Sequence, residues 1–226
     1  MGGRQEEILD TALALADERG LEAVSMRALA DRVGVTPMAL YRHVDSKAAL
    51  LDGLVGRLLA AFLPPATGKP QDWNARLADL AHTCRKTIQI HPWAAQLLFS
   101  RPAVTPDAVR AVDVIYSALI EAGVPDREVP RLERMISTFV IGFAISEASG
   151  RFAPGALDPR SRRGRLPDGE LPGHSRLTPW LDLPTDLDAE FEADLEDLLH
   201  LVEAATRKQR RRSTGGRNDH GRSRGA

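Results

Sequence analysis

The stretch that decides the fold is residues 24–54, VSMRALADRVGVTPMALYRHVDSKAALLDGL. It spells two short helices joined by a tight turn, then the opening of a longer helix. Ser25 stands as an N-cap, its hydroxyl able to accept a backbone N–H left free in the first turn. Met26, Leu29, Ala30 and Val33 sit three and four apart, one apolar face of a helix. Gly34 ends that helix where a left-handed backbone costs least. Thr36 caps a second helix, and Pro37 occupies its first turn, where a missing N–H is harmless. Leu40 and Val44 point inward, which leaves Thr36, Met38, Ala39, Tyr41, Arg42 and His43 largely outside. Asp45 or Ser46 caps a third helix, which opens at Lys47 and runs on through Leu50, Leu51 and Leu54. A short helix braced on another, with stackable and hydrogen-bonding groups outward, suits a DNA major groove. A generic helical hairpin with an incidental surface tyrosine has the same spacing.

Upstream, a helix is expected from about Gln5 to Arg19, with Ile8, Leu9, Ala12, Leu15 and Ala16 as its apolar stripe and Gly20 closing it. Downstream, Ala48 to Leu63 continues the third helix as a connector that stops at Pro64-Pro65. Residues 64–70 are the candidate domain boundary. A second domain opens near Gln71. Trp73, Leu77, Leu80, Ala81, Cys84 and Ile88 give a helix broken near His91-Pro92. A short helix follows from Trp93 to Phe99. Thr105-Pro106 repeats the cap-plus-proline signature and begins a helix stopped at Gly123, and Asp126 caps the next. From Met135 to Ile145 the sequence MISTFVIGFAI is apolar nearly all round. Such a helix is buried on every face; one face packs in its own subunit, and the other needs a second surface, most simply a partner subunit.

Between Ser149 and Thr185 periodicity fails among prolines and glycines, with five arginines from Arg151 to Arg165. A long loop there is functional or disordered, and its arginines read as a solvated linker. The final helix is expected from about Asp186 to Arg207. Leu195, Leu198, Leu199 and Val202 on it, paired with Leu132, Ile136 and Val140, would form a four-helix dimer interface. The chain thus divides into an all-α arrangement: a helix-turn-helix domain over 1–63, a helical domain over 71–207 with a disordered-prone loop at 150–184, and a basic disordered tail over 208–226.

Composition bounds the rest. A chain of 226 residues, 43% apolar, suits one small domain and one larger one. No apolar run approaches the ~18 residues of a membrane helix, and no secretory signal core is expected. The opening Met1-Gly2-Gly3 lacks the Ser or Thr at position 6 that myristoylation needs. The single cysteine, Cys84, excludes an internal disulfide, agrees with the cytoplasm, and reads as a small apolar core residue. Net charge is −1, but residues 1–206 carry −8 and residues 207–226 carry +7. Even residues 1–57 hold seven basic against nine acidic side chains. DNA binding by bulk charge is thereby disfavoured; a few cations aimed at phosphates remain sufficient. No G-x-S-x-G elbow, phosphate-binding glycine loop or metal-ligand histidine spacing is present. No catalytic, metal or cofactor site is called for. The tail is a ragged terminus or a non-specific nucleic-acid tether.

Residues 8–60, and the run LYRHVDSKAALLDGL above all, resemble the DNA-binding domain of the tetracycline-repressor (TetR) family. The resemblance continues more weakly beyond, where Ser100-Arg101-Pro102 is similar to a turn in the family's ligand domain. It implies an all-helical homodimeric regulator that reads a palindromic operator and releases DNA when a small molecule binds. It implies that Arg27 reads a base, that Tyr41 and His43 contact phosphates, and that Lys47 contacts a phosphate from the next helix. Thr36, Met38, Ala39 and Arg42 differ from the tetracycline-binding members, so a different operator is expected; Pro37 completes the reading helix. The histidines those members place around magnesium and drug fall at Leu63 and Leu97 here, and leucine ligates no magnesium. The expected pocket uses Trp93, Leu97, Phe99, Tyr116, Met135, Phe139 and Phe143, with Arg101 and His91 as polar handles. It would suit a mostly apolar small molecule with one anchored polar group, although such an aromatic stripe also fits plain core. The alternatives are an all-helical enzyme or binding module, and a regulator answering to a protein partner.

Overall fold

The computed structural model describes residues 2–63, 71–151, 170–181 and 183–215, with residues 2 and 208–215 as backbone only. Every regular element among them is helical. The N-terminal part holds α1 (Gly2–Arg19), a 3-10 turn (Leu21–Ala23), α2 (Met26–Val33), α3 (Pro37–Leu40) and α4 (Lys47–Ala60). The C-terminal part holds α5 (Trp73–Ile90), α6 (Ala94–Ser100), α7 (Pro106–Glu121), a 3-10 turn (Asp126–Glu128), α8 (Val129–Ala148), α9 (Pro172–Leu181) and α10 (Leu187–Gly215). No described helix is long and apolar enough to cross a membrane.

Local chemistry sets the helix starts. Ser25, Thr36, Ser46, Asp72 and Thr105 each accept the backbone N–H three residues on, at 2.8–3.3 Å. Each cap contributes about 1 kcal/mol. Ser46, not Asp45, caps α4. Gly34 closes α2 at φ 75°, and the N–H groups of Gly34 and Val35 both return to the carbonyl of Ala30. Beyond Leu40, Arg42 and His43 bond three residues back, so the reading helix finishes in a tightened turn. The same happens after Ala60: α4 ends there and residues up to Leu63 follow with bonds from i to i−3, ahead of prolines that have no N–H to give.

Two apolar cores result. Ile8, Leu15, Val24, Leu29, Leu40, Leu50 and Leu54 fill the N-terminal one; Leu77, Ile88, Leu119, Leu132, Phe191 and Val202 belong to the other. In the second core α5 packs on α8, with α7 and α10 against them. A buried cation ties these helices. Arg85 on α5 gives Glu147 on α8 two hydrogen bonds, at 2.8 and 2.6 Å, and reaches Asp188 on α10 at 2.7 Å. Its guanidinium lies 4.8 Å from the Phe191 ring centroid and 5.5 Å from that of Phe143.

The structure corrects several expectations. Asp126 caps nothing long: it opens a 3-10 turn, and α8 starts at Val129. The 150–184 loop contains α9, whose Pro172 sits in the first turn. Its periodicity was hidden by Gly173 and Pro179. The last helix does not stop at Arg207 but continues to Gly215, since Arg, Lys and Gln favour helix and no breaker intervenes. The proposed dimer residues are spent inside the subunit: Leu132, Ile136, Val140, Leu195, Leu198 and Val202 are each 8% exposed or less, and Leu199 packs half-buried on the same core. Amphipathic periodicity reveals which face is buried, not whose surface covers it. The linker 64–70, the arginines past Arg151 in the run to Arg165, and residues 216–226 lie outside the described residues.

Candidate DNA-reading face and ligand cavity

The tail of α2, the Gly34 turn and α3 present one exposed surface. Met38 is 72% and Tyr41 45% exposed. Arg27, Thr36, Pro37, Arg42, His43 and Lys47 are exposed, and Ala39 is half-buried. Beneath them Leu40 and Val44 anchor α3 in the N-terminal core, so the outward residues ride on a fixed support. The charge objection raised by composition has a local answer. Arg4, Arg32 and Arg57 pair with Glu7, Glu18 and Asp10. Arg27, Arg42 and Lys47 form no ion pair among the described residues. Of the head's four cations without an ion pair among the described residues, three, Arg27, Arg42 and Lys47, are residues expected to read DNA; the fourth is Arg19 at the end of α1. Lys47 stands at the first position of α4, one residue after its cap.

A half-open cavity of about 640 Å³ lies between the end of α4 and the C-terminal helices. Its walls are Val55, Leu59 and Phe62 from the end of α4; Leu77, Leu80, Ala81 and Cys84 from α5; Leu98, Phe99 and Ser100 from α6. Ala111, Val112 and Ile115 from α7 and Ile136, Val140 and Ile141 from α8 complete them, with Arg101, Pro102, Ala103, Glu133, Arg134 and Ser137 as further lining. The volume lies in the range of small-molecule sites, and the lining has the mostly apolar, sparsely polar make-up such sites share. Ser137 donates to Glu133 at 2.8 Å, which holds one carboxylate at the lining. Burial among apolar walls pushes the Cys84 thiol up to about 12, so the group is inert and neutral.

Of the pocket residues expected from sequence, Phe99 and Arg101 line this cavity; the others do not. Leu97 is buried in the N-terminal core, and Trp93 packs against that core. The indole N–H of Trp93 donates to Asp17 at 2.7 Å, and His91 meets the same carboxylate oxygen at 2.6 Å. These two form a joint between α1 and the turn entering α6. Tyr116, Met135 and Phe139 pack half-buried on the C-terminal core, and Phe143 lies within it, 5.1 Å from Phe191 between ring centroids. Met135, Phe139 and Phe143 recur every four residues on α8, and the cavity takes the adjacent stripe of Ile136 and Val140. The missed signal was polar: Glu133 and Ser137, one turn apart, interrupt an apolar helix beside that stripe. Among the described residues no three His, Cys, Asp or Glu side chains gather to hold a metal ion.

Cavity and reading face share one helix. α4 begins at Lys47 and its other end walls the cavity; its 14 residues span about 21 Å at ~1.5 Å each. In its first two turns Arg101 grips it, donating Nε to Asp52 at 2.9 Å and Nη2 to the carbonyl of Ala48 at 3.1 Å. Arg101 follows α6 directly and is itself cavity lining. Gly56 lets α4 approach the start of α7 closely: a Cβ there would stand 2.2 Å from Thr105 Oγ1.

A capped helix-turn-helix head joined by a shared helix to a hollow helical body defines the class of two-domain helix-turn-helix regulators. Residues 8–54 match the model of the bacterial regulatory proteins of the tetR family, and residues 64–205 match the tetracyclin repressor-like C-terminal domain. The chain belongs to the tetR family. It is 32% identical over 142 residues to the HTH-type transcriptional repressor DrrR1 of Streptomyces coeruleorubidus, covering 63% of this chain and 53% of that one. It is 28% identical over 145 residues to the class C tetracycline repressor protein of Escherichia coli, covering 64% and 66%. The matched stretch thus spans about half to just under two-thirds of those relatives. Among solved structures, Streptomyces coelicolor ActR in complex with actinorhodin superposes with a TM-score of 0.76 at 26% identity, over 89% of this chain and 97% of that one.

Proposed function

We propose that this chain is a homodimeric transcriptional repressor that releases its operator when a small molecule fills the 640 Å³ cavity. The observation that carries the reading is α4, which holds Lys47 at one end and cavity wall at the other, with Arg101 from the cavity clamping its first two turns. A ligand entering the cavity presses on Val55, Leu59 and Phe62 and on the segment Leu98–Ala103. Both sets connect rigidly to α4, and a small rotation of α4 moves Lys47 and the braced α3. Two heads set to the spacing of a palindrome then no longer fit it together. Such a ligand acts only through its differential affinity for the two head positions. Support comes from the unpaired reading-face cations, from the repressors among its relatives, and from the structural likeness to ActR, which holds a small molecule. The lining favours a mostly apolar ligand of drug-like size with one polar anchor.

The test is a mobility-shift assay with the DNA flanking the protein's own gene, followed by titration of compounds first found by thermal shift. A ligand that binds only the folded form raises the melting temperature, and it should also dissolve the retarded complex. No retarded complex on any flanking fragment removes the DNA-binding reading. Compounds that stabilise the protein yet leave the complex intact remove the release mechanism.

A further inference from the structure

The cavity is apolar over most of its wall, and among the described residues three charged side chains line it: Arg101, Glu133 and Arg134. They differ in what they have left to give. Arg101 is already engaged, on Asp52 at 2.8 Å and on the carbonyl of Ala48 at 3.1 Å. Glu133 and Arg134 form no ion pair among the described residues. Nor do they face each other, because consecutive helix positions point about 100° apart. Helix geometry then sorts them. Glu133, Ser137 and Val140 follow at intervals of four and three, so they stack along one line of α8. Ile136 lies to one side of that line and Ile141 to the other, with Arg134 beyond at the flank. Arg134 is exposed, whereas Glu133 is half-buried. The carboxylate thus stands mid-wall among apolar neighbours, and the arginine at the rim can keep its charge in water.

Ser137 donates to Glu133 Oε1 at 2.8 Å and so fixes the direction of the carboxylate. Its other oxygen has no donor among the described residues. An ionised carboxylate can accept about four hydrogen bonds, and against apolar walls its charge is costly without a partner. A ligand that fills the cavity strips water from this group, so the ligand itself must supply the donors and the charge. A hydroxyl supplies a donor but no charge; a second carboxylate supplies neither. A protonated amine supplies both. We propose that the cavity takes a lipophilic amine, its apolar body between α5, α7 and α8 and its ammonium group on Glu133 and Ser137. This rests on the reading of the cavity as the ligand site. The field of the chain agrees: residues 1–206 carry −8, which draws cations to the body and repels anions.

The experiment uses three fluorescent probes that share one apolar body: pyrenemethylamine, pyrenemethanol and pyrenecarboxylate. Each is titrated by anisotropy into the full chain and into E133Q. Glutamine keeps the size of Glu133 and an oxygen for Ser137 while removing the charge. On the parent protein the amine should bind at least about tenfold more tightly than the alcohol, with the acid weakest. E133Q should lose that advantage and bind the alcohol as before, which shows that the cavity survives the substitution. Should E133Q lose the alcohol too, the ranking on the parent protein decides. Equal affinities of amine and alcohol on the parent protein overturn the proposal, as does an amine preference that persists in E133Q. Tighter binding of the acid overturns it as well and moves the polar anchor to Arg134. Those failures leave the cavity standing as an apolar ligand site. Failure of the site itself looks different: none of the three probes binds, and the proposal falls with it. An amine that binds as expected without dissolving an operator complex removes the release mechanism alone.

Discussion

Arg27 and Lys47 differ in what they can recognise, although both are exposed cations without a partner in the described residues. Arg27 stands at the second position of α2 and carries a planar fork able to read a base edge. Lys47 is a point charge at a helix start, suited to a phosphate. Arg27→Ala should therefore cost about 1–3 kcal/mol at one base pair and relax specificity there. Lys47→Ala should weaken cognate and scrambled DNA alike. Competition shifts with single-base operator variants separate the two; equal losses on all sequences for Arg27→Ala would remove its base-reading role. Buried charge obeys another rule. The Arg85 guanidinium holds the Glu147 carboxyl below the ordinary carboxylate range, with Gln89 assisting. A carboxylate depressed in the fold contributes stability that is complete above its unfolded value, about 4.3, and is lost as pH falls through the lower folded value. Glu147→Gln should cost about 3 kcal/mol at neutral pH, because Arg85 loses its buried partner. Below about pH 4 the mutant's denaturant midpoint should approach the parent's. Curves that stay parallel down through that range would show that another group governs acid unfolding.

At the scale of elements, α6 is the short helix with the most consequence. It is seven residues long and could not stand alone in water. The Asp17 joint with His91 and Trp93 fixes its entrance to α1, and Arg101 at its exit grips α4. Its inner residue Leu97 is buried in the head's core while Leu98 to Ser100 face the cavity. Such a helix cannot shift for a ligand without shifting the head. Arg101→Ala removes the clamp and leaves most of the cavity wall in place. Ligand affinity should stay within a few-fold. The ratio of operator affinities with and without ligand should fall about tenfold, the loss of roughly 1.4 kcal/mol of coupling. Calorimetry for the ligand and mobility shift for the operator give the two numbers; an unchanged ratio places the coupling elsewhere.

At the scale of the whole molecule, the proposed homodimer needs a surface for a second subunit. One reading helix contacts too few base pairs to find a site in a genome, so two heads are required. The interior of α8 and α10 is closed within the subunit, but their outer faces are not. Leu201 on α10 is 51% exposed, and Met135, Phe139 and Ile145 on α8 are half-buried. Trp180 on α9 is 66% exposed. These are the surfaces on which a homodimer is proposed. Two glutamates discriminate. Val140→Glu places an unpaired charge in the subunit's own core, at several kcal/mol, and should unfold or aggregate the chain. Leu201→Glu should leave helicity intact and yield a monomer with operator binding weakened at least about a hundredfold. Light scattering beside circular dichroism decides it. A Leu201→Glu protein that stays dimeric moves the interface off α10.

Much of this was already written along the chain. Caps, left-handed glycines and three-and-four spacing act within a turn or two of backbone, so Ser25, Gly34, Thr36-Pro37 and Thr105-Pro106 declared their helices without help. The reading face was legible for the same reason: once Leu40 and Val44 must be inside, helical geometry puts Met38, Tyr41 and Arg42 outside. Tertiary structure decided everything that depends on who covers a buried face. Periodicity marked Val140 and Leu198 as buried but could not distinguish a neighbouring helix of the same subunit from a second subunit. It marked Trp93 and Phe143 as aromatic and inward but could not tell a cavity from a joint or a packed ring. The cavity itself is empty space between α4, α5, α7 and α8, residues tens of positions apart in sequence. Its shape follows from how those helices cross, and no local spacing encodes that.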